Sequence, residues 1–230
     1  MSSQYPRFNV NFKVYPETVG KKGLEIARQI EQIQEETGGT ISVVPQIPDV
    51  RMVAEETDLQ IMAPACDAIE PGRGMGKVLL ETLTAAGAEG VSINHPENPD
   101  TLADLAFKIR RCDKLGLDSS ILVYSVEMGR AVAQLDPDSL VFEVPGDIAG
   151  NVAVTEARPD AIREFLDMVD EENPDIRVTT GGGIKTAEDV RRGFELGLDG
   201  VGAASGIIES ENRYEQLRAI GDVVAEFQNS

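Results

Sequence analysis

The chain has 230 residues, 41% of them hydrophobic and 27% charged, which suits a single domain with a sizeable buried core. Forty Asp and Glu against 21 Lys and Arg give a net charge of −19, which excludes nucleic acid and anionic membranes as non-specific partners, because both attract basic patches. Only seven of the cations are Lys; so acidic and Lys-poor a surface fits a salt-rich cytoplasm, where charges act over roughly 3 Å at about 1 M salt, although ordinary acidic cytosolic proteins share the composition.

In chain order, Phe8–Lys13 reads as a strand, and Gly20–Thr37 as a helix with the stripe Leu24, Ile26, Ala27, Ile30 and Ile33, ended by Gly38-Gly39. Thr40–Pro45 is a second strand, followed by a short helix over Val50–Glu56, and Leu59–Ala63 is a third strand. Met75–Ala86 reads as a helix stopped by Gly87, and Gly90–Asn94 as the fourth strand. Thr101–Leu115 is helical and closed by Gly116; Ser120–Tyr124 is the fifth strand, with a helix over Glu127–Leu135. Leu140–Glu143 is the sixth strand, followed by a helix over Arg158–Asp170, and Ile176–Thr179 is the seventh. Thr186 N-caps a helix that runs to Leu196, Gly200–Ala204 is the eighth strand, and Arg213–Phe227 closes the chain. Eight strands alternating with helices imply parallel pairing. In this length they imply one closed (β/α)8 barrel over residues 1–230. An open doubly wound sheet competes, but no G-x-G-x-x-G follows the first strand.

Cys66 and Cys112 fit no ligand spacing, and the single His95 allows no metal cluster, so no metal is expected. A Ser-His-Asp triad would have to use that same His95, and no Ser stands in a G-x-S-x-G turn. With no secretory start and no long apolar run, the chain is expected to be soluble and cytoplasmic, in a reducing compartment.

In a (β/α)8 barrel the chemistry sits at the C-terminal ends of the strands. Those ends carry Asn11-Phe12-Lys13, Asn94-His95-Pro96-Glu97, Glu143, Thr180-Gly181-Gly182-Gly183-Ile184 and Ala204-Ser205-Gly206. Singly, Lys13 could be a surface lysine, His95 a hydrogen-bonded loop residue and Glu143 a structural partner. Together they bring a cation, an imidazole and a carboxylate to one mouth. The glycine-rich ends of strands seven and eight allow close backbone approach, and phosphate is held by such N–H groups and by helix N-termini. Alone, three glycines could simply make a tight turn.

These residues resemble the triosephosphate isomerase family, in particular its short archaeal branch. The resemblance covers nearly the whole chain. It is carried by Asn11-Phe12-Lys13-Val14-Tyr15-Pro16-Glu17, Val44-Pro45-Gln46, Ile69-Glu70-Pro71-Gly72, Asn94-His95-x-Glu97, Ala103-Asp104-Leu105 and Val141-Phe142-Glu143. Thr180 to Val190 and Gly200 to Gly206 complete it. It implies a TIM barrel and a cofactor-free aldose–ketose isomerase of glycolysis and gluconeogenesis. The implied substrate is a small phosphorylated sugar, and the implied assembly a homodimer or homotetramer.

Residue by residue, Asn11 and Lys13 match the substrate-binding pair, His95 the electrophile on the carbonyl and Glu97 the acid beside it. Glu143 matches the family's carboxylate base. Ile148, Gly183, Ala204 and Ser205 match positions whose N–H groups hold phosphate. The chain departs from the pattern with Pro96 where Ser is usual, with its own loop over 144–151, and with Pro64-Ala65-Cys66-Asp67 and Arg73-Gly74-Met75 after the third strand. Those departures leave open an isomerase of another short-chain sugar phosphate, or a phosphate-binding barrel without catalysis.

Overall fold

The computed structural model describes residues 5–143 and 152–230. Eight strands pair in parallel in the order β1 to β8 and close on themselves: β1 Arg7–Asn11, β2 Ile41–Val44, β3 Gln60–Ala63, β4 Gly90–Ile93, β5 Asp118–Val123, β6 Ser139–Phe142, β7 Arg177–Thr180 and β8 Gly200–Ala203. Closure is made by β1, which takes Ile41 of β2 and Val201 of β8 opposite Phe8. The helices between the strands are α1 Lys21–Thr37, α2 Val50–Glu56, α3 Leu80–Ala85, α4 Leu102–Leu115, α5 Val126–Ala133, α6 Val154–Ala157, α7 Pro159–Glu172, α8 Ala187–Glu195, α9 Ser205–Ile208 and α10 Arg213–Gln228. The expected (β/α)8 barrel is therefore the observed architecture.

The period-two alternation of each strand divides its residues between two environments. Phe8, Val10 and Phe12 are fully buried in the layer between strands and helices, whereas Asn9 and Asn11 line the interior. Phe142 likewise turns outward and stacks on Phe165 of α7, with ring centroids 4.3 Å apart, while its neighbour Val141 faces inward. Ser92, Ser120, Thr179, Gly200 and Gly202 also face inward. Small and polar groups thus occupy positions that branched side chains would fill in a packed barrel, leaving a deep cavity beneath the C-terminal mouth.

Local signals set the helix ends. Gly38, at φ +77, closes α1 by donating its N–H to the Gln34 carbonyl at 2.8 Å. Thr101 and Asp104 form a capping box on α4, and Thr186 and Asp189 form another on α8; a cap of this kind contributes about 1 kcal/mol. The helix expected over Met75–Ala86 is shorter, because residues 75–79 are held as a loop. Asp67 binds the Lys77 ammonium at 2.8 Å and the Val78 N–H at 2.7 Å, and Gly76 stands at φ +78. Two single-turn helices, α6 and α9, are too short to carry a periodic pattern and were not expected.

Candidate active site

The strand ends deliver their side chains to a cavity of about 860 Å³ that is lined by Asn11, Lys13, His95, Glu97, Glu143 and the loops after β7 and β8. Just past β1, Lys13 stands in a left-handed conformation, φ +43. Its N–H donates to Asn11 Oδ1 at 2.9 Å, which ties the two residues into one turn. Lys13 Nζ then reaches Glu97 Oε1 at 2.9 Å, and this contact, more than any other, holds the Glu97 carboxyl below its ordinary range.

After β4 the chain makes a tight turn over His95-Pro96-Glu97-Asn98, in which the Asn98 N–H donates to the His95 carbonyl at 2.7 Å. Pro96 occupies the second position, where its fixed φ is favoured and no N–H is needed. The departure at residue 96 is therefore compatible with the turn. Within it, the Glu97 N–H donates to His95 Nδ1 at 3.1 Å. With Nδ1 accepting, the neutral ring carries its proton on Nε2. Burial, followed by the Lys13 charge, pushes the imidazole below its ordinary pKa, with Glu97 pulling the other way, so the ring is neutral near pH 7.

Glu143 leaves β6 with its N–H on the Val123 carbonyl at 3.0 Å. Burial raises its carboxyl pKa; Lys13 opposes this and Glu97 adds to it. The carboxylate lies over Gly181, where a Cβ would come within 2.7 Å of Glu143 Oε1. A bare glycine at that position makes room for a buried acid in the cavity wall.

The loops after β7 and β8 meet at the same mouth, between the strand that carries Glu143 and the strand that carries Lys13. Gly182 and Gly183 take φ +98 and +69, and a Cβ on Gly183 would strike the Val152 carbonyl at 2.3 Å. Gly206, in the first turn of α9, comes as close to the Ile184 carbonyl, at 2.6 Å for a built Cβ. Gly183, Ala204 and Ser205 line the cavity. Among the described residues, the N–H groups of Gly183, Ser205 and Gly206 donate to no backbone carbonyl. Such a set of N–H groups can donate to the oxygens of a phosphate. Ile148 falls outside the described residues.

Lys185 also lines this cavity, with its stem against Gly206, and makes no ion pair among the described residues. Sequence reasoning missed it; its position directly after Gly183-Ile184 was the available signal.

The family model of triosephosphate isomerase matches residues 7–127. The triosephosphate isomerase of Methanocaldococcus jannaschii is 37% identical over 92% of this chain and 96% of its own length. That of Methanothermus fervidus is 36% identical over 96% of this chain and 98% of its own. The crystal structure of triosephosphate isomerase from Bartonella henselae shares the fold, with a TM-score of 0.75 over 95% of this chain and 98% of that one, at 14% identity. On these matches and on the barrel that carries them, the chain belongs to the triosephosphate isomerase family.

Proposed function

We propose that the chain is a triosephosphate isomerase, interconverting dihydroxyacetone phosphate and glyceraldehyde 3-phosphate without a cofactor. The observation that carries the reading is the convergence of a buried carboxylate, a neutral imidazole and an ammonium from β6, β4 and β1 on one cavity beside unpaired backbone N–H groups. The sequence relationship to the archaeal isomerases supports the choice of substrate.

In this reading, Glu143 takes the proton from C1 of dihydroxyacetone phosphate. His95 Nε2–H donates to the C2 oxygen as the electron pair moves onto it, forming the enediolate. The ring then passes a proton between the two oxygens, and Glu143 returns its proton to C2. The raised basicity of a buried carboxylate favours the abstraction. Lys13 offsets the charge on the enediolate and phosphate, with Glu97 holding its ammonium and Asn11 Oδ1 tying down its backbone N–H. Gly183, Ala204 and Ser205 hold the phosphate, with Ile148 supplying a further N–H. A coupled isomerase assay at low and high salt tests this, with Glu143→Gln as control. Turnover by the wild type and a loss of at least about 10³-fold in kcat for the variant are expected; folded wild type with no turnover in either salt refutes it.

We propose further that residues 1–230 form one domain, that copies assemble as a homodimer or homotetramer, and that the acidic surface is adapted to a salt-rich cytoplasm. Apolar Val14, 84% exposed beside Lys13, and fully exposed Met75 after β3 support an interface at the mouth. No helix among the described residues is long and apolar enough to cross a membrane. Light scattering in 0.1 M and 1 M KCl checks the assembly, and a monomer in both overturns it.

A further inference from the structure

We propose that Asp100 is a positioning residue: seated by its ion pair with the buried Lys108, its side-chain oxygen holds Asn94 in a left-handed conformation and thereby fixes the His95 ring in the cavity. The inference rests on the isomerase reading and concerns residues to which that reading gives no role. Lys108 on α4 is only 3% exposed, and its Nζ lies 2.5 Å from Asp100 Oδ1. The second oxygen, Asp100 Oδ2, accepts the Asn94 N–H at 3.1 Å. In return the Asp100 N–H donates to Asn94 Oδ1 at 2.9 Å. Asn94 Nδ2 donates to the Leu122 carbonyl of β5 at 2.8 Å, and the Tyr124 hydroxyl donates to the Asn94 carbonyl.

Every polar group of Asn94 is thus engaged, and the residue stands at φ +66. A side-chain-bearing residue holds that region only where its surroundings impose it. The residue so constrained immediately precedes His95, so its dihedrals set the direction in which the imidazole leaves the strand. Stability alone accounts poorly for the pair, since buried ion pairs add little over apolar residues of the same volume. An acceptor oxygen at residue 100 is required because two apolar residues would leave the Asn94 N–H, itself buried, unsatisfied.

The test uses the chain's only histidine, whose ring gives a single imidazole signal pair in a 15N spectrum. The double variant D100L/K108M removes the acceptor without leaving an orphan charge. D100N/K108M removes both charges but keeps an oxygen for the Asn94 N–H. For D100L/K108M we expect kcat to fall at least tenfold with KM within threefold, and the ring to shift from the Nε2–H form to a tautomer mixture. For D100N/K108M we expect kcat within threefold of wild type and the wild-type ring spectrum. Folded D100L/K108M with wild-type kcat and ring spectrum overturns the proposal, and so do equal losses in both double variants. If D100L/K108M fails to fold, Asn94→Gly decides. That change permits the left-handed backbone but deletes the side-chain bridges: a tenfold lower kcat at unchanged KM supports the proposal, and wild-type kcat overturns it. Wild-type protein without turnover would refute the isomerase reading instead, and the ring spectra would still judge the positioning.

Discussion

Replacing Gly181 by Ala tests whether the carboxylate of Glu143 is the working base and whether its position matters on the sub-ångström scale. The added Cβ would stand 2.7 Å from Glu143 Oε1, while ordinary contact begins at 3.4 Å. The next neighbour, the Gly202 carbonyl, is already at 3.4 Å. Gly181 lies outside the positive-φ region, so alanine is not excluded by the backbone. The strain therefore falls on one movable group, and the carboxylate must retreat by about 0.7 Å. Misplacing a catalytic group by about 1 Å costs on the order of 10²-fold. We expect kcat to fall roughly 10- to 100-fold, or about 1.4–2.7 kcal/mol of barrier. The fold should lose less than about 1 kcal/mol, because only the end of a side chain has to yield. A coupled isomerase assay run alongside urea denaturation separates the two effects. A folded G181A protein with kcat within twofold of wild type would refute the reasoning, since the base would then tolerate displacement or lie elsewhere.

Three further outcomes are expected. Because burial raises the carboxyl pKa of Glu143, the stabilising effect of its proton is full below the unfolded-state value and is lost as pH rises through the raised folded one; at pH 7–8 the inactive Glu143→Gln variant should melt a degree or more above wild type, and a lower melting point would contradict the buried-carboxylate cost. Lys185→Ala should raise KM about three- to tenfold at low salt with kcat unchanged, the scale of one partly screened charge, and the difference should shrink in 1 M KCl; a fall in kcat at constant KM would remove Lys185 from substrate capture. Burial pushes the Cys66 thiol up to about 12, and the fully buried Cys112 still further, so native protein should resist iodoacetamide at pH 8 and both thiols should label in urea; rapid labelling of the native protein would show that the layer around α4 opens.

Much of the fold was legible because alternation and caps are local. The stripe of α1, the stop at Gly38 and the Thr186 cap each depend on residues within a turn or two of each other. The failure at Met75–Ala86 has a long-range cause. An apolar and helix-compatible stretch is held open by the Asp67 side chain, about ten residues upstream, and no window over 75–86 contains that carboxylate. Lys185 was missed for a related reason, since only the packing of the loop after β7 onto Gly206 brings it to the cavity.

The catalytic candidates divide along the same line. The residues at the strand ends follow from the sequence, because in parallel strands joined by right-handed crossovers every C-terminal end opens on one face. Lys13, His95 and Glu143 were therefore nameable from the sequence, as was the net charge of −19 that a small anionic ligand must approach. The tertiary structure alone decided their chemical states. That His95 is neutral with Nδ1 occupied, and that Glu143 is held basic over Gly181, depend on burial and on contacts between residues as much as 84 positions apart, such as Lys13 with Glu97. Protonation responds to the local dielectric and to nearby charge; the order of residues supplies the groups, and closure of the barrel sets the distances that tune them.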